Sequence, residues 1–207
     1  KENVVLMYWL YQKLEEPIFN MLPKSRRDNE YCRRLPELRI DLNNIQKNRT
    51  FFIDSYYNQI INILSREGGA GMHINKKKDH PKGFKCAYDH SAARYCWVNF
   101  IPAVFNTRKN GIYTIEFRNH SATTSYNKCK NWLLICIALV DIIENHKAAL
   151  YSDPNITLEQ IIELVYPKNH LELNSYIAKR TSKFSESNKE NQEVLDYTDN
   201  EIEEDIS

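Results

Sequence analysis

An acidic and a basic side chain stand two residues apart in the segment 113–118. This segment alternates strictly between apolar and polar residues, as a β-strand does when one of its faces packs against a core. Glu116 and Arg118 both fall on the polar face, about 7 Å apart along a regular strand. A carboxylate can bind a divalent metal ion, and a guanidinium can hold carboxylate or phosphate oxygens. The alternative is an ion pair on the solvent face of a sheet, which contributes little free energy.

The segments around this pair predict the elements that position it. Residues 94–101 are rich in aromatic and β-branched types, which predicts a second strand. The Asn-Gly pair within 109–111 favours a tight turn between the two strands. Residues 132–143 are nearly continuously apolar and long enough for a buried helix. We therefore expect strand, turn, strand, loop and helix over 94–146, with the rest of the chain packed around this unit.

Helical periodicity predicts four further helices. They are expected at residues 4–14, 49–66, 158–165 and 171–179. The third of these helices follows a Thr-x-x-Gln pattern starting at Thr157, which is typical of a capping box.

Composition favours one domain with a tail. The chain has 207 residues, 42% hydrophobic residues and a net charge of +1, which suits a single α/β or α+β domain over 1–181. Residues 182–207 are acidic with few apolar anchors, so we predict a disordered tail. The near-zero net charge gives no argument for a nucleic-acid or membrane partner. No run is apolar enough to span a bilayer, and five scattered cysteines favour a reducing, cytoplasmic location.

A basic stretch at 24–34 has two interpretations. Charged clusters without periodicity are usually solvated loops. The alternative is an anion-binding loop, because the planar fork of arginine holds phosphate or carboxylate with two hydrogen bonds. Arg27 is our candidate from this stretch for contact with a phosphate or a substrate.

Two other groups of residues carry weaker patterns. The glycines in 68–71 lack the Gly-Lys-Ser/Thr ending of a phosphate loop, which favours a flexible loop. Cys86, His90 and Cys96, with two more histidines upstream, invite a zinc site, but no paired Cys-x-x-Cys spacing is present. Buried thiols and a loop histidine are the simpler account.

Three blocks of the sequence resemble the amidoligase family of the carboxylate–amine ligase, glutamine synthetase-like superfamily. They read LPKSRRDNEYC at 22–32, RYCWVN at 94–99 and TIEFRNHSAT at 114–123. The third block is similar to the family's Thr-hydrophobic-Glu-Phe-Arg pattern and precedes a long apolar helix containing Trp132, as in the family. Ala122 stands where the family commonly has Gly. The resemblance covers about residues 4–150.

The resemblance implies an activity and a fold. Such ligases join a carboxylate to an amine, after ATP and Mg²⁺ have converted the carboxylate to an acyl phosphate. The substrates would be small-molecule or peptide carboxylates and amines, with no nucleic acid or membrane partner. The fold would be α+β, with a glutamine synthetase-like antiparallel sheet and helices on one face.

The resemblance also assigns roles to single residues. Glu116 would be a ligand of Mg²⁺, and Arg118 would hold the substrate carboxylate or acyl phosphate. Arg94 would contact ATP phosphates from the neighbouring strand. His120 would touch the nucleotide or move a proton, or else brace its loop by a backbone hydrogen bond. Asn99 is a further cofactor-binding candidate, although an odd step of five from Arg94 prevents both side chains from facing one cleft in a regular strand.

The family's first strand, with its Glu-x-Glu pair, and a further strand with a His or Gln motif are not found in this sequence. We therefore expect the 207 residues to be the C-terminal part of an amidoligase domain, with little or no ligase activity alone. A non-catalytic structural or binding module that has lost its metal is the main alternative. A nucleic-acid-binding module that uses the basic stretch is a weaker one, and the near-zero net charge opposes it.

Overall fold

A computed structural model describes residues 1–27, 32–66, 92–105 and 114–185. This part of the chain is mostly helical with a two-stranded antiparallel sheet. The elements are α1 (Glu2–Lys13), α2 (Glu15–Asn20), a 3-10 helix (Lys24–Arg26), α3 (Leu42–Lys47), α4 (Arg49–Arg66), a second 3-10 helix (Ala92–Tyr95), β1 (Val98–Asn99), α5 (Ile101–Phe105), β2 (Glu116–Phe117), α6 (Tyr126–Asn145), α7 (Lys147–Ser152), α8 (Leu158–Val165) and α9 (His170–Ser185).

The chain divides into two compact units. The first unit comprises Lys1–Gln12 and Glu30–Arg118, and the second comprises Lys13–Asn29 and Asn119–Ser207.

An aromatic cluster forms the core of the first unit beneath the sheet. Tyr11 on α1 lies 5.8 Å, between ring centroids, from each of Trp97, Phe100 and Phe117. Tyr8 completes the cluster at 5.4 Å from Phe100. Phe117 therefore packs inward from β2, as the alternation of 113–118 predicts, and leaves its neighbours Glu116 and Arg118 on the other face.

The two strands are much shorter than predicted. They pair antiparallel with Val98 opposite Phe117 and Asn99 opposite Glu116. The predicted strand 94–101 is wrong at both ends, because 3-10 helix precedes β1 and α5 follows it. The side-chain oxygen of Asn99 accepts a hydrogen bond from the Ile101 N–H at 3.0 Å. This local turn diverts the backbone from the ladder into helix.

The second unit is built around α6. The inward face of this helix is completely buried, and α8 packs against both α6 and α9. The buried residues of α6 include Ile135, Ala138, Leu139, Ile142 and Ile143. Ser125 caps α6 by accepting a hydrogen bond from the Lys128 N–H, so the helix begins six residues before the predicted start.

The other predicted helices are present. The prediction for 49–66 is confirmed at both ends, α1 spans Glu2–Lys13, and α9 spans His170–Ser185. The tail predicted from residue 182 therefore begins inside a helix, and 186–207 lie outside the described residues. Among the helices of the described ranges, none has the length and apolarity required to cross a membrane.

The capping box at the start of α8 is confirmed and gives a stability prediction. Thr157 Oγ1 accepts from the Gln160 N–H at 3.3 Å, while the Thr157 N–H donates to Gln160 Oε1 at 2.7 Å. Replacing Thr157 by Ala should lower the free energy of unfolding by about 1 kcal/mol. Thr157→Ser keeps the capping oxygen and is the control. Urea titrations that give the same midpoint for the Ala variant as for the Ser variant would show that the cap contributes nothing.

Candidate functional site

The carboxylate of Glu116 is the centre of a polar cluster on the sheet of the first unit. Because Asn99 lies opposite Glu116 in the ladder, the Asn99 Nδ2 group donates to Glu116 Oε2 at 3.1 Å. Arg118 Nη2 donates to the same oxygen at 2.9 Å. The predicted shared face of Glu116 and Arg118 is confirmed, and the two side chains lean together until they form an ion pair.

Several neighbours act on the charge of Glu116. Burial raises the pKa of this carboxyl. The hydrogen bonds from Asn99 and Arg118, together with the positive charges of Arg118 and Arg94, lower the pKa by a larger amount. The net pKa lies below the usual value for glutamate, so the group is ionised at neutral pH. Its side chain is 51% exposed, which leaves it accessible to a ligand.

Arg118 is held from several sides. Its backbone N–H donates to the Trp97 carbonyl at 2.8 Å, and its carbonyl accepts from the Cys32 thiol at 3.2 Å. Its guanidinium lies 5.9 Å from the ring centroid of Tyr95, close enough for a cation–π interaction. The Nε atom is buried with no hydrogen-bond partner among the described residues. The side chain is thus anchored while part of its donor set stays unused.

Arg94 and Asn99 both act on Glu116, contrary to the objection from strand parity. That objection assumed a regular strand from 94 to 99, whereas Arg94 belongs to the 3-10 helix Ala92–Tyr95. The period of two does not apply across a helical turn. The positive charge of Arg94 lowers the pKa of Glu116 from this position. We call Arg94, Tyr95, Asn99, Glu116 and Arg118 the Glu116 cluster.

Two contributors to the site are not indicated by any sequence pattern of their own. Tyr95 supplies the ring near Arg118, and Cys32 holds the backbone where β2 ends. The segment 32–34 runs beside 95–97, since the Arg33 N–H donates to the Tyr95 carbonyl and the Trp97 N–H donates to the Arg33 carbonyl. No periodicity marks this pairing in the basic stretch. The only signal was that both residues lie in blocks resembling the family: Cys32 ends the first block, and Tyr95 belongs to the second.

The two other candidates, Arg27 and His120, belong to the second unit. Arg27 Nε donates to the Leu22 carbonyl at 2.7 Å, and its Nη2 donates to the Phe184 carbonyl at 3.0 Å. Two donors of the guanidinium therefore tie chain segments together in this structure, where an anion contact was predicted. The ring of His120 stacks on Trp132 with centroids 5.1 Å apart.

The described part of the chain gives little support for the possible zinc site. The buried Cys96 thiol donates to the Arg34 carbonyl at 3.5 Å, and no group of three or more His, Cys, Asp or Glu residues with metal-binding geometry occurs there. Cys86, His90 and the glycines of 68–71 lie outside the described residues.

Burial raises the pKa of the Cys136 thiol to about 12, so this cysteine is no nucleophile at neutral pH.

Comparison with protein-family models, curated proteins and solved structures gave no match. The amidoligase assignment therefore stays a prediction that depends on the three sequence blocks and on what the Glu116 cluster can do chemically.

Proposed function

We propose that this chain carries part of the active site of an ATP-dependent carboxylate–amine ligase, which forms an amide or peptide bond through an acyl phosphate. The observation that carries the proposal is the Glu116 cluster itself. One ionised, half-exposed carboxylate is fixed on one oxygen by Asn99 and Arg118, with Arg94 as a further nearby cation. The two strands would be a remnant of the antiparallel sheet of glutamine synthetase-like enzymes.

Glu116 fits Mg²⁺ only as one ligand among several. Its Oε2 atom already accepts two hydrogen bonds, which leaves Oε1 for a cation. Mg²⁺ in proteins is commonly bound by one or two carboxylates, with phosphate oxygens and waters completing the octahedron. Arg94 and Arg118 would repel a bare cation but would attract the phosphates that accompany it. We therefore propose that Mg²⁺ binds here together with ATP, and that Mg²⁺ alone binds weakly.

The arginines give the site its part in the chemistry. When bound, ATP with Mg²⁺ supplies the phosphoryl group that activates the substrate carboxylate. Arg118, anchored at its backbone and near the Tyr95 ring, would orient the carboxylate through the exposed part of its guanidinium group. Guanidinium groups placed where negative charge develops stabilise a phosphoryl transfer without reorganisation. Asn99 would keep Glu116 oriented, because its amide is fixed between that carboxylate and the start of α5.

Binding of ATP with Mg²⁺ tests the proposal. Calorimetry on the 207-residue chain should detect binding, and Glu116→Gln or Arg118→Ala should each weaken it by about tenfold or more. Arg39→Ala is the control, because this arginine is almost fully exposed and pairs with Glu37. If the wild-type chain and all variants fail to bind, or all bind equally, the ligase site is not at the Glu116 cluster. The non-catalytic module then becomes the better account.

A further inference from the structure

The helix α6 carries an apolar stripe on the face that points away from its own core. Its buried residues lie on one side of the helix, and on the opposite side Tyr126, Leu133 and Ile137 are 75%, 58% and 46% exposed. Between 128 and 143 every exposed residue of α6 is apolar, namely Cys129, Leu133 and Ile137. Because a surface helix usually has polar side chains on this face, the stripe indicates a site of interaction.

The helix α4 shows the usual distribution that α6 lacks. Within 49–65 its exposed residues are polar apart from Phe51: they are Arg49, Thr50, Phe51, Asn58, Gln59, Asn62 and Ser65. An apolar outer face is therefore a property of α6 and not of every long helix in this chain.

The outward residues of α6 have the spacing of a coiled-coil seam. From Tyr126 onward, steps of four and three residues alternate, which is the pattern of a helix that packs against one other helix. The two charged positions of this pattern are Lys130 and Glu144. We call the set the α6 seam, and its members are Tyr126, Lys130, Leu133, Ile137, Val140 and Glu144. It extends about 27 Å along the helix axis.

We propose that the α6 seam is the interface of a homodimer, in which two copies of α6 pack antiparallel about a two-fold axis. In this arrangement Leu133 of each copy packs against Ile137 of the other. The aliphatic stem of Lys130 packs against Val140 of the other copy. A self-complementary contact of this kind closes with two subunits. The interface does not involve the Glu116 cluster, so it is independent of the proposed ligase function.

The charged positions of the α6 seam favour a second copy in the antiparallel orientation. In a parallel pair Lys130 would face Lys130 and Glu144 would face Glu144, and like charges in direct opposition repel. In the antiparallel pair no like charges face each other, and the Tyr126 hydroxyl can donate to the Glu144 carboxylate. Lys130 already bonds to Glu172 at 2.8 Å, so its charge affects the orientation more than the affinity.

The surroundings of the α6 seam oppose a membrane surface as the partner. A helix that lies on a membrane is rich in Lys and Arg on its polar face. The face of α6 opposite the seam is instead buried in its own unit, as Ile135 and Leu139 show. The charges on and beside the seam have both signs, since Asp141 accompanies Lys130 and Glu144. A second protein helix therefore matches this face better.

Sedimentation velocity over about 5–500 µM protein tests the interface. A single pair of helices buries less surface than a standard interface, so we expect weak association with a Kd on the order of 100 µM. The weight-average mass of the wild-type chain should rise with concentration from 24.5 kDa toward the dimer value. Leu133→Lys should weaken association by at least about tenfold, because it places two ammonium groups in the apolar centre of the seam.

Phe51→Lys is the matched control. Phe51 is 61% exposed and Leu133 is 58% exposed, and both substitutions make the same change of charge. Since Phe51 lies outside α6, the control should associate as the wild type does. Circular dichroism should show both variants folded, because both replaced side chains are largely exposed.

Disulfide formation tests the orientation without the lysine variants. Leu133→Cys and Ile137→Cys are made in a Cys129→Ser background, because Cys129 is itself exposed. A mixture of the two should cross-link faster than either alone, since antiparallel packing sets 133 opposite 137. Two copies of the same variant would have their thiols about 6 Å out of register along the axis. Phe51→Cys in the same background gives the rate of random collision.

Four results would overturn the proposal. One is a mass that stays at 24.5 kDa up to about 500 µM, and another is equal association of Leu133→Lys and the wild type. The third is cross-linking of the mixture no faster than that of the single variants. The fourth is binding to phosphatidylcholine vesicles that Leu133→Lys abolishes, which would assign the seam to a membrane. Failure of the ligase hypothesis looks different, since it concerns ATP binding and leaves association unchanged.

Discussion

Replacing Trp97 by Ala should lower the free energy of unfolding by about 3–5 kcal/mol. Its side chain is completely buried, and its ring lies 5.8 Å from that of Tyr11 and 6.1 Å from that of Phe117, between centroids. Removing it loses the transfer free energy of a large apolar ring and leaves a cavity that α1 and β2 cannot both move to fill.

The same substitution should disturb the Glu116 cluster. The backbone of Trp97 connects two elements of the sheet, because its N–H donates to the Arg33 carbonyl and its carbonyl accepts from the Arg118 N–H. Without the indole ring the backbone at 97 loses its anchor in the core. We therefore expect ligand binding at Arg118 to weaken together with stability.

Phe51→Ala is the matched control for Trp97→Ala. Phe51 lies in the same unit with 61% of its surface exposed, and its main contact is an edge-on packing against Phe52 at 5.1 Å. It should lower the free energy of unfolding by no more than about 1 kcal/mol. Urea unfolding followed by circular dichroism measures both variants. Similar losses for the two would mean that the aromatic cluster does not hold the first unit together.

The sequence predicted the features that depend on local pattern. Alternation in 113–118 correctly predicted that Phe117 faces the core while Glu116 and Arg118 share the other face. Helical periodicity predicted Arg49–Arg66 at both ends, and the Thr-x-x-Gln pattern predicted the start of α8. In these cases the sequence pattern either repeats with the period of the element or contains the residues that form the helix cap.

Features that depend on distant pairing were not predictable from one sequence. The strand expected over 94–101 shrinks to Val98–Asn99, because the side chain of Asn99 turns the backbone into helix. Aromatic and β-branched content reports burial as well as strand, and here the burial comes from the packing of Trp97 and Phe100 around α1. The register sets Asn99 opposite Glu116, and the segment 32–34 pairs with 95–97. Neither pairing can be recognised from the sequence of one partner alone.

The charge of a residue also did not suffice to predict what its side chain binds. The basic stretch predicts an anion contact for Arg27, yet two donors of its guanidinium group bond to the carbonyls of Leu22 and Phe184. A buried carbonyl at a helix end needs a donor as much as a phosphate does. Composition cannot distinguish these two uses of a guanidinium, because both require the same planar fork.

Replacing Asn99 by Asp should destabilise the chain by about 3 kcal/mol at pH 7. Asn99 is only 4% exposed, and its amide nitrogen donates to Glu116 Oε2. Asp has nearly the same shape but no donor, so two carboxylates would face each other at hydrogen-bond distance. The ladder fixes the residues opposite one another, which prevents the backbone from separating them.

The pH dependence of stability should reverse in this variant. In the wild-type chain the pKa of Glu116 is lowered by folding. Its contribution to stability is therefore present above the unfolded value of about 4.3 and is lost as the pH falls through the folded pKa. In Asn99→Asp, repulsion raises the pKa of one carboxyl of the pair above its unfolded value. Stability should then increase as the pH falls from 7 through that raised pKa.

Urea midpoints at pH 7 and pH 5 separate this charge effect from simple loss of packing. Asn99→Leu removes the donor to Glu116 and also the acceptor of the Ile101 N–H, but it adds no carboxylate, so its deficit relative to wild type should stay constant between the two pH values. The deficit of Asn99→Asp should shrink at pH 5, since one proton bound by the pair restores a donor between the two oxygens. Parallel deficits for the Asp and Leu variants would contradict the contact between Asn99 and Glu116. That contact fixes Glu116 in the orientation on which the proposed site for ATP and Mg²⁺ depends.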